Sequence, residues 1–465
     1  MGDNGPLKIG LAPIKRGTTR METALLQKQL ILQRMADITP ENVALVGIED
    51  VLPEGLLYCH DQVAAVEKAF KRAGVHALFL PHCDFGCEEV VGQLAKRMGV
   101  PVLIWGNRDP YPDYPGGKDR DTQCGTLAST KALQRYGVPF SYILNTDVED
   151  APLKRGFEDF CAVANVVRRF RGMRILLAGT RPQAFLSVIY NEDELLRRFG
   201  IEVYPWGSAA WLEAADRILA ERADEVTREM QAFARQVDVS DLTYERQRRQ
   251  AALVLALCEM AERHDIDGVA MECWSLLPER YGISGCQIVG QLCQRGLPCA
   301  CEGDVLGAVT AVMMQAAALD KEPVFFSDIT SRHPEQDNTE LLWHCGPYPP
   351  SLAHPDTPPK STFHGRGAFQ LKNGPITIAR LDAANGRYSL FSGEGRGVDG
   401  PPKKGNYVWL EVDCWADWEE KIVFGPYIHH VAGAYGQYSQ ILSEACKYLG
   451  GVSPDPMRPV KRVLG

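Results

Sequence analysis

The strongest constraint in this 465-residue chain is an alternation of two kinds of segment. Short, wholly apolar runs at residues 8–13 (KIGLAP), 43–47 (VALVG), 77–80 (ALFL), 101–105 (PVLIW) and 141–144 (SYIL) are separated by longer stretches. Two of these, 61–74 (DQVAAVEKAFKRAG) and 88–99 (EEVVGQLAKRMG), repeat apolar residues at helical spacing and end in Gly. Strands apolar on both faces, alternating with helices, require a parallel sheet covered on both sides. Residues 1–171 therefore read as a doubly wound α/β domain.

A second series follows with runs at 174–179 (RILLAG), 201–204 (IEVY), 268–271 (GVAM) and 297–301 (LPCAC). A helix-rich stretch, 209–263, separates the middle two, and the apolar segment after Asp304 (VLGAVTAVMMQAAAL) reads as a buried helix. Residues 172–322 form a second doubly wound α/β domain on this reading. The pattern then changes to Gly- and Pro-rich sequence with short β-like runs at 376–381 (ITIARL), 388–391 (YSLF) and 407–412 (YVWLEV). Close turn signals between them predict a small antiparallel sheet or barrel over residues 323–465, closed by a helix near 435–449.

Several function classes are disfavoured. The formal charge is −9 and no long Lys/Arg block is present, which is a poor match to a phosphate backbone, so nucleic acid is not an expected partner. No stretch reaches the ~18 consecutive apolar residues of a membrane span, and none is expected. The first residues, MGDNGPLKIGLAP, hold no apolar stretch of signal-peptide length. Many of the fourteen cysteines sit inside apolar runs, as core thiols do in a reducing compartment, so a cytoplasmic location is expected. Neither the CxxxC of Cys83 and Cys87 nor the CxC of Cys299 and Cys301 has the second half of a structural zinc site. Phosphate-binding glycine loops and a GxSxG nucleophile motif are missing as well.

The chemistry concentrates at Cys301-Glu302-Gly303-Asp304, directly after an apolar strand and directly before an apolar helix. Ligands of open α/β sheets bind at the carboxyl ends of strands. Two carboxylates there suit a divalent cation, and Asp304 equally suits the N-cap of the helix that follows. Glu272 ends the preceding strand at the same sheet edge. Among ten histidines, His344 lies in an apolar run, LLWHCG, and His429-His430 precede the last helix. A mixed imidazole and carboxylate site would suit Mn²⁺ or a similar cation. His82 and Asn107 follow the third and fourth runs, again at carboxyl ends, where they suit hydrogen bonds to a polyol or a simple turn. Arg16, Arg108 and Arg181 lie near strand ends or loops and suit an anionic substituent.

These residues resemble the L-fucose isomerase / L-arabinose isomerase superfamily. The segments KIGLAP (8–13), LPHCDFG (80–86) and IWGN (104–107) match the fucose isomerase N-terminal domain in order and spacing. Cys301-Glu302-Gly303-Asp304 with its apolar helix resembles the stretch bearing the family's metal-binding aspartate, and His430, with Ala432, Tyr435 and Gly436, its C-terminal metal-binding histidine. His344 falls near a further histidine that arabinose isomerases use as a ligand.

The resemblance implies two α/β domains with a β-rich third, and Mn²⁺ (or Co²⁺ or Mg²⁺) on Asp304, His430 and His344. Placement at strand ends then offers Glu302 or Glu272 as the base, with His82, Asn107, Arg16 and Arg181 toward the substrate. A homo-oligomer of three, four or six chains is implied too. The sequence departs at 281–289, where the family carries a catalytic glutamate and this chain places Cys286. The expected activity is a metal-dependent aldose–ketose isomerisation of a pentose, hexose or deoxy- or sulfo-hexose through an enediol. Epimerisation, retro-aldol cleavage and sugar binding without chemistry are the alternatives.

Overall fold

Five of the apolar runs of the first third become parallel strands: β1 (Leu7–Leu11), β2 (Val43–Val46), β3 (Ala77–His82), β4 (Val102–Gly106) and β5 (Ser141–Ile143). In the computed structural model, which describes residues 5–109 and 120–465, their order is β5-β4-β3-β1-β2. The two-residue strand Val463–Leu464 adds a sixth strand beside β5. The central strand β3 is buried along its whole length, which is why it reads as an unbroken apolar run. Helices His60–Ala73, Glu88–Met98 and Thr122–Tyr136 each end on a left-handed Gly, at 74, 99 and 137. Residues 5–168 and 461–465 make up this unit.

Residues 169–460 form the second unit. It contains a four-stranded parallel sheet, β6 (Arg174–Ala178), β7 (Glu202–Trp206), β8 (Gly268–Met271) and β9 (Cys299–Cys301), in the order β7-β6-β8-β9. The helix-rich stretch resolves into Ser208–Glu221, Ala223–Ala234 and Tyr244–Arg263. Helix Val305–Ala317 is buried at all thirteen positions because it packs on β8 and on two strands of the following sheet, so no polar face is left in its sequence.

That following sheet is largely antiparallel. Its strands are β10 (Phe325–Arg332), β11 (Thr339–His344), β12 (Lys360–Ser361), β13 (Gly367–Gln370), β14 (Gly374–Ala384), β15 (Arg387–Val398), β16 (Asn406–Glu411), β17 (His430–Tyr435) and β18 (Val452–Pro456). Pairing of β16 with both β11 and β15 closes six of them into a barrel, β16-β11-β10-β17-β14-β15. The remaining strands are additions, β12 and β13 beside β16 and β18 beside β15. The α/β class with a barrel-like C-terminal part is therefore as expected. The closing helix is shorter than the sequence suggests: residue 435 ends β17, the helix is Ser439–Cys446, and β18 follows. Among the described residues no helix is long and apolar enough to cross a membrane.

The barrel contains one electrostatic liability. Glu340, on β11, is 3% exposed, and its Oε2 lacks a hydrogen-bond partner. Burial raises its pKa to about 7, partly opposed by Arg332. The unfolded carboxyl ionises near 4.5, so stability is highest below that pH, falls as pH rises to about 7, and stays lowered above. Glu340→Gln is expected to stabilise the fold by about 1 kcal/mol at pH 8 and to change little at pH 4. Thermal melts at the two pH values check this.

Candidate active site

The turn after β9 sets the site's geometry. Glu302 and Gly303 both adopt left-handed backbone, with φ of 64° and 65°. For a non-Gly residue this is a costly conformation that persists only where the surroundings enforce it. Here hydrogen bonds from Gly303 N to Met271 O and from Asp304 N to Cys301 O, both 3.1 Å, fix it. A side chain at 303 would meet the backbone of Arg181 at 2.8 Å, so Gly is required there.

Glu302 is 5% exposed, and its Oε1 accepts a 2.7 Å hydrogen bond from Trp274 Nε1. Its Oε2 stands 3.1 Å from His430 Nε2. His430 opens β17 directly opposite Asp328 of β10, and its Nε2 is 3.5 Å from Asp328 Oδ1. Asp328 Oδ1 is also 3.8 Å from His344 Nε2, at the end of β11. None of these four ends, Glu302 Oε2, Asp328 Oδ1, His344 Nε2 and His430 Nε2, has a hydrogen-bond partner of proper geometry, although each is buried. Four convergent orphaned groups of ligand type mark a site that binds something polar. Asp328, His429 and His430 also present ligand atoms all within 4.8 Å of one another. The donor chemistry, imidazole with carboxylate, fits a divalent cation.

Asp304 is fully buried and fully engaged. Its Oδ1 caps the following helix by accepting from Gly307 N at 2.9 Å, and its Oδ2 accepts from His430 Nδ1 at 2.9 Å. The Arg380 guanidinium grips both oxygens. Burial alone would raise the Asp304 pKa, but Arg380 and His430 hold it far below the carboxylate range. Burial likewise opposes charge on His430, and contacts with Asp304 and Glu302 outweigh it, lifting the pKa to about 9.

The two histidines differ in which nitrogen is free. His430 gives Nδ1–H to Asp304, so in the neutral ring the lone pair lies on Nε2. His344 Nδ1 accepts from Cys345 N at 2.8 Å, so the neutral ring carries its proton on Nε2, facing the site. An aromatic wall stands beside them: Phe185 lies 4.7 Å from Trp274 and 5.9 Å from His430 between ring centroids. Trp274→Phe keeps the wall but removes the donor to Glu302, and kcat is expected to fall about tenfold with KM little changed, by steady-state kinetics.

The other sequence candidates have partners of their own. Glu272 accepts from Thr180 N at 3.3 Å, Ser208 Oγ at 3.1 Å and Ser275 Oγ at 3.0 Å, which occupies both its oxygens. Arg181 donates to the carbonyls of Pro182, Gln183 and Phe185, and so braces the loop carrying Phe185. Cys286 begins helix Cys286–Gln294 as a buried thiol, raised well above its ordinary pKa by its contact with Cys345 and by burial.

Three more belong to the first unit. His82 is held by Ser129 Oγ at 2.8 Å and Leu80 O at 3.3 Å, and burial lowers its pKa to about 4. Asn107 bonds Gln27 and Val148 N, and the Arg16 guanidinium lies 4.2 Å over the Phe85 ring. Sequence reasoning missed Asp328 and Arg380. Arg380 carried a signal, a full charge inside the apolar run ITIARL, which demands a buried partner.

The fucose/sulfoquinovose isomerase N-terminal domain family matches residues 10–171, and the L-fucose isomerase C-terminal domain family matches residues 359–453. The chain belongs to the fucose-isomerase-like family. It is a divergent member, and an aldose–ketose isomerase by that membership.

A sulfoquinovose isomerase of Priestia aryabhattai is 23% identical over 446 residues, 94% of this chain and 96% of that protein. Another, from Clostridium sp. (strain MSTE9), is 27% identical over 60% of this chain and 61% of its own. Among solved structures, a solute-binding protein of Bacillus halodurans C-125 with bound myo-inositol is 14% identical and covers 68% of this chain and 91% of that one. Its TM-score of 0.17 is too low to bear on fold or function.

Proposed function

We propose that the chain interconverts an aldose and its ketose at the Glu302, Asp328, His344, His430 cluster, with a 6-sulfo-hexose of the sulfoquinovose type as substrate and a divalent cation, Mn²⁺ by preference, as cofactor. The convergence of four buried, unpartnered polar ends supports the site. The sulfoquinovose isomerases matched over nearly the whole chain support the substrate.

His430 and Asp328 would hold the cation, with His429 able to join them. When bound, the cation would draw charge from the two substrate oxygens and so acidify the adjacent C–H. The protein's own groups do the rest. Glu302, kept ionised by His430, His344 and Trp274 against the opposing effect of burial, takes the C–H proton and returns it to the neighbouring carbon. His344 Nε2–H donates to a substrate oxygen as charge builds there. Phe185 and Trp274 offer an apolar face to the sugar ring and shield Glu302 from water.

The test is incubation of sulfoquinovose with chelated enzyme, then with Mn²⁺, Co²⁺ or Mg²⁺ restored. Cation-dependent formation of the ketose with carbon count unchanged is the expected result. Appearance of an epimer or of cleavage fragments instead would overturn it in favour of the related enediolate reactions. The proposal includes a cytoplasmic homo-oligomer of three, four or six chains, read out by sedimentation.

A further inference from the structure

We infer that Arg380 is a positioning residue that acts through Asp304 on His430, so that Asp304 orients a cation ligand and is not itself one. This rests on the cation-dependent reading of the site given above.

Arg380 projects from β14, a central strand of the barrel, and is 1% exposed. A guanidinium cannot shed its proton in a protein, so its burial must be offset by anionic partners placed with good geometry. It has two. Nε donates to Asp382 Oδ2 at 3.0 Å, two residues on and therefore on the same face of the strand. Nη1 donates to Asp304 Oδ2, and Nη2 to Asp304 Oδ1 at 3.2 Å, a bidentate grip.

With Gly307 N and His430 Nδ1 added, Asp304 accepts four hydrogen bonds, about the full capacity of a carboxylate. No lone pair is left for a cation, and the fixed positive charge beside it would repel one. Yet Asp304 is what makes His430 useful. By accepting Nδ1–H it fixes the tautomer and turns Nε2, unpartnered, toward Asp328 and Glu302. Carboxylates behind metal-binding histidines act in this way, and losing one costs 10–100-fold in affinity or activity. Arg380 keeps that carboxylate ionised, aligned and out of the cation's coordination sphere. The chain thus uses one carboxylate of its CEGD turn, Glu302, to face the site and the other to brace it.

The experiment measures Mn²⁺ affinity by calorimetry alongside kcat and KM, in the wild type, Asp328→Asn, Asp304→Asn, Arg380→Gln and the paired Asp304→Asn/Arg380→Gln. Asp328→Asn tests the cation reading itself: unchanged affinity there would overturn that reading and leave the present inference without its basis. If Asp328→Asn loses affinity more than about 1000-fold, the remaining variants decide. Asp304→Asn is expected to lose only 10–100-fold, and Arg380→Gln about tenfold, with kcat falling and KM for the sugar steady.

A loss in Asp304→Asn as large as that in Asp328→Asn would make Asp304 a ligand and overturn the inference. So would a gain of affinity in Arg380→Gln, because it would mean that the arginine merely competes with the cation. Arg380→Gln strands a buried charge and is the variant at risk of misfolding. The paired variant removes Arg380 and the Asp304 charge together, strands only the less buried Asp382, and its affinity loss should match that of Asp304→Asn alone.

Discussion

Glu302→Gln should lower kcat by about 1000-fold while leaving cation binding and fold in place. Glutamine keeps the side chain's volume and the oxygen that accepts from Trp274, so the positional cost is small. What it removes is the ability to accept a proton from carbon, and a positioned general base contributes 10²–10⁴-fold. Loss of solvent-deuterium incorporation into the sugar at the reacting carbon should accompany the fall, because the same carboxylate carries the proton both ways. Retention of kcat within tenfold would displace Glu302 from the role. Glu272→Gln is the matched control: both oxygens of its carboxylate are engaged, by Thr180, Ser208 and Ser275, so kcat should change less than tenfold while thermal stability falls.

The contrast between these two glutamates shows what the sequence could and could not reveal. Both end adjacent strands, β9 and β8, at the carboxyl edge of the parallel sheet, and that placement follows from apolar runs and their spacing alone. Which of them is free depends on hydroxyls and amides from elements that no local pattern connects.

The same limit applies at the centre of the site. Asp328 faces His430 because β10 pairs antiparallel with β17, and a one-residue slip in that register would send the two side chains to opposite faces. Periodicity within the run FFSDIT suggests a strand but carries no information on its partner. The buried helix after Asp304 was legible for the opposite reason. Contact with sheets on two sides leaves it apolar all round, and that is a property of its own thirteen residues. Barrel closure, through the pairing of β16 with both β11 and β15, again depended on long-range register.

Asp328→Asn and His430→Gln should each abolish cation retention through dialysis, with turnover lost and not restored by millimolar Mn²⁺. Each removes one of the two unpartnered ligand atoms that the β10–β17 pairing sets 3.5 Å apart. Asp328→Asn is nearly isosteric, and its cost is confined to the attraction that the Asp328 carboxylate exerts on His344 and His430. The cation-free Asp328→Asn protein should therefore still melt cooperatively and close to cation-free wild type, even though it is inactive. The stabilisation that Mn²⁺ gives the wild type, RT ln(1 + [L]/Kd), or about 2.7 kcal/mol at a hundredfold excess over Kd, should vanish in both variants. That pairing of observations separates a lost ligand from a damaged fold, since a merely misfolded variant would melt early with or without the cation. A cation-induced rise in melting temperature that survives in Asp328→Asn and His430→Gln would place the binding atoms elsewhere in the protein.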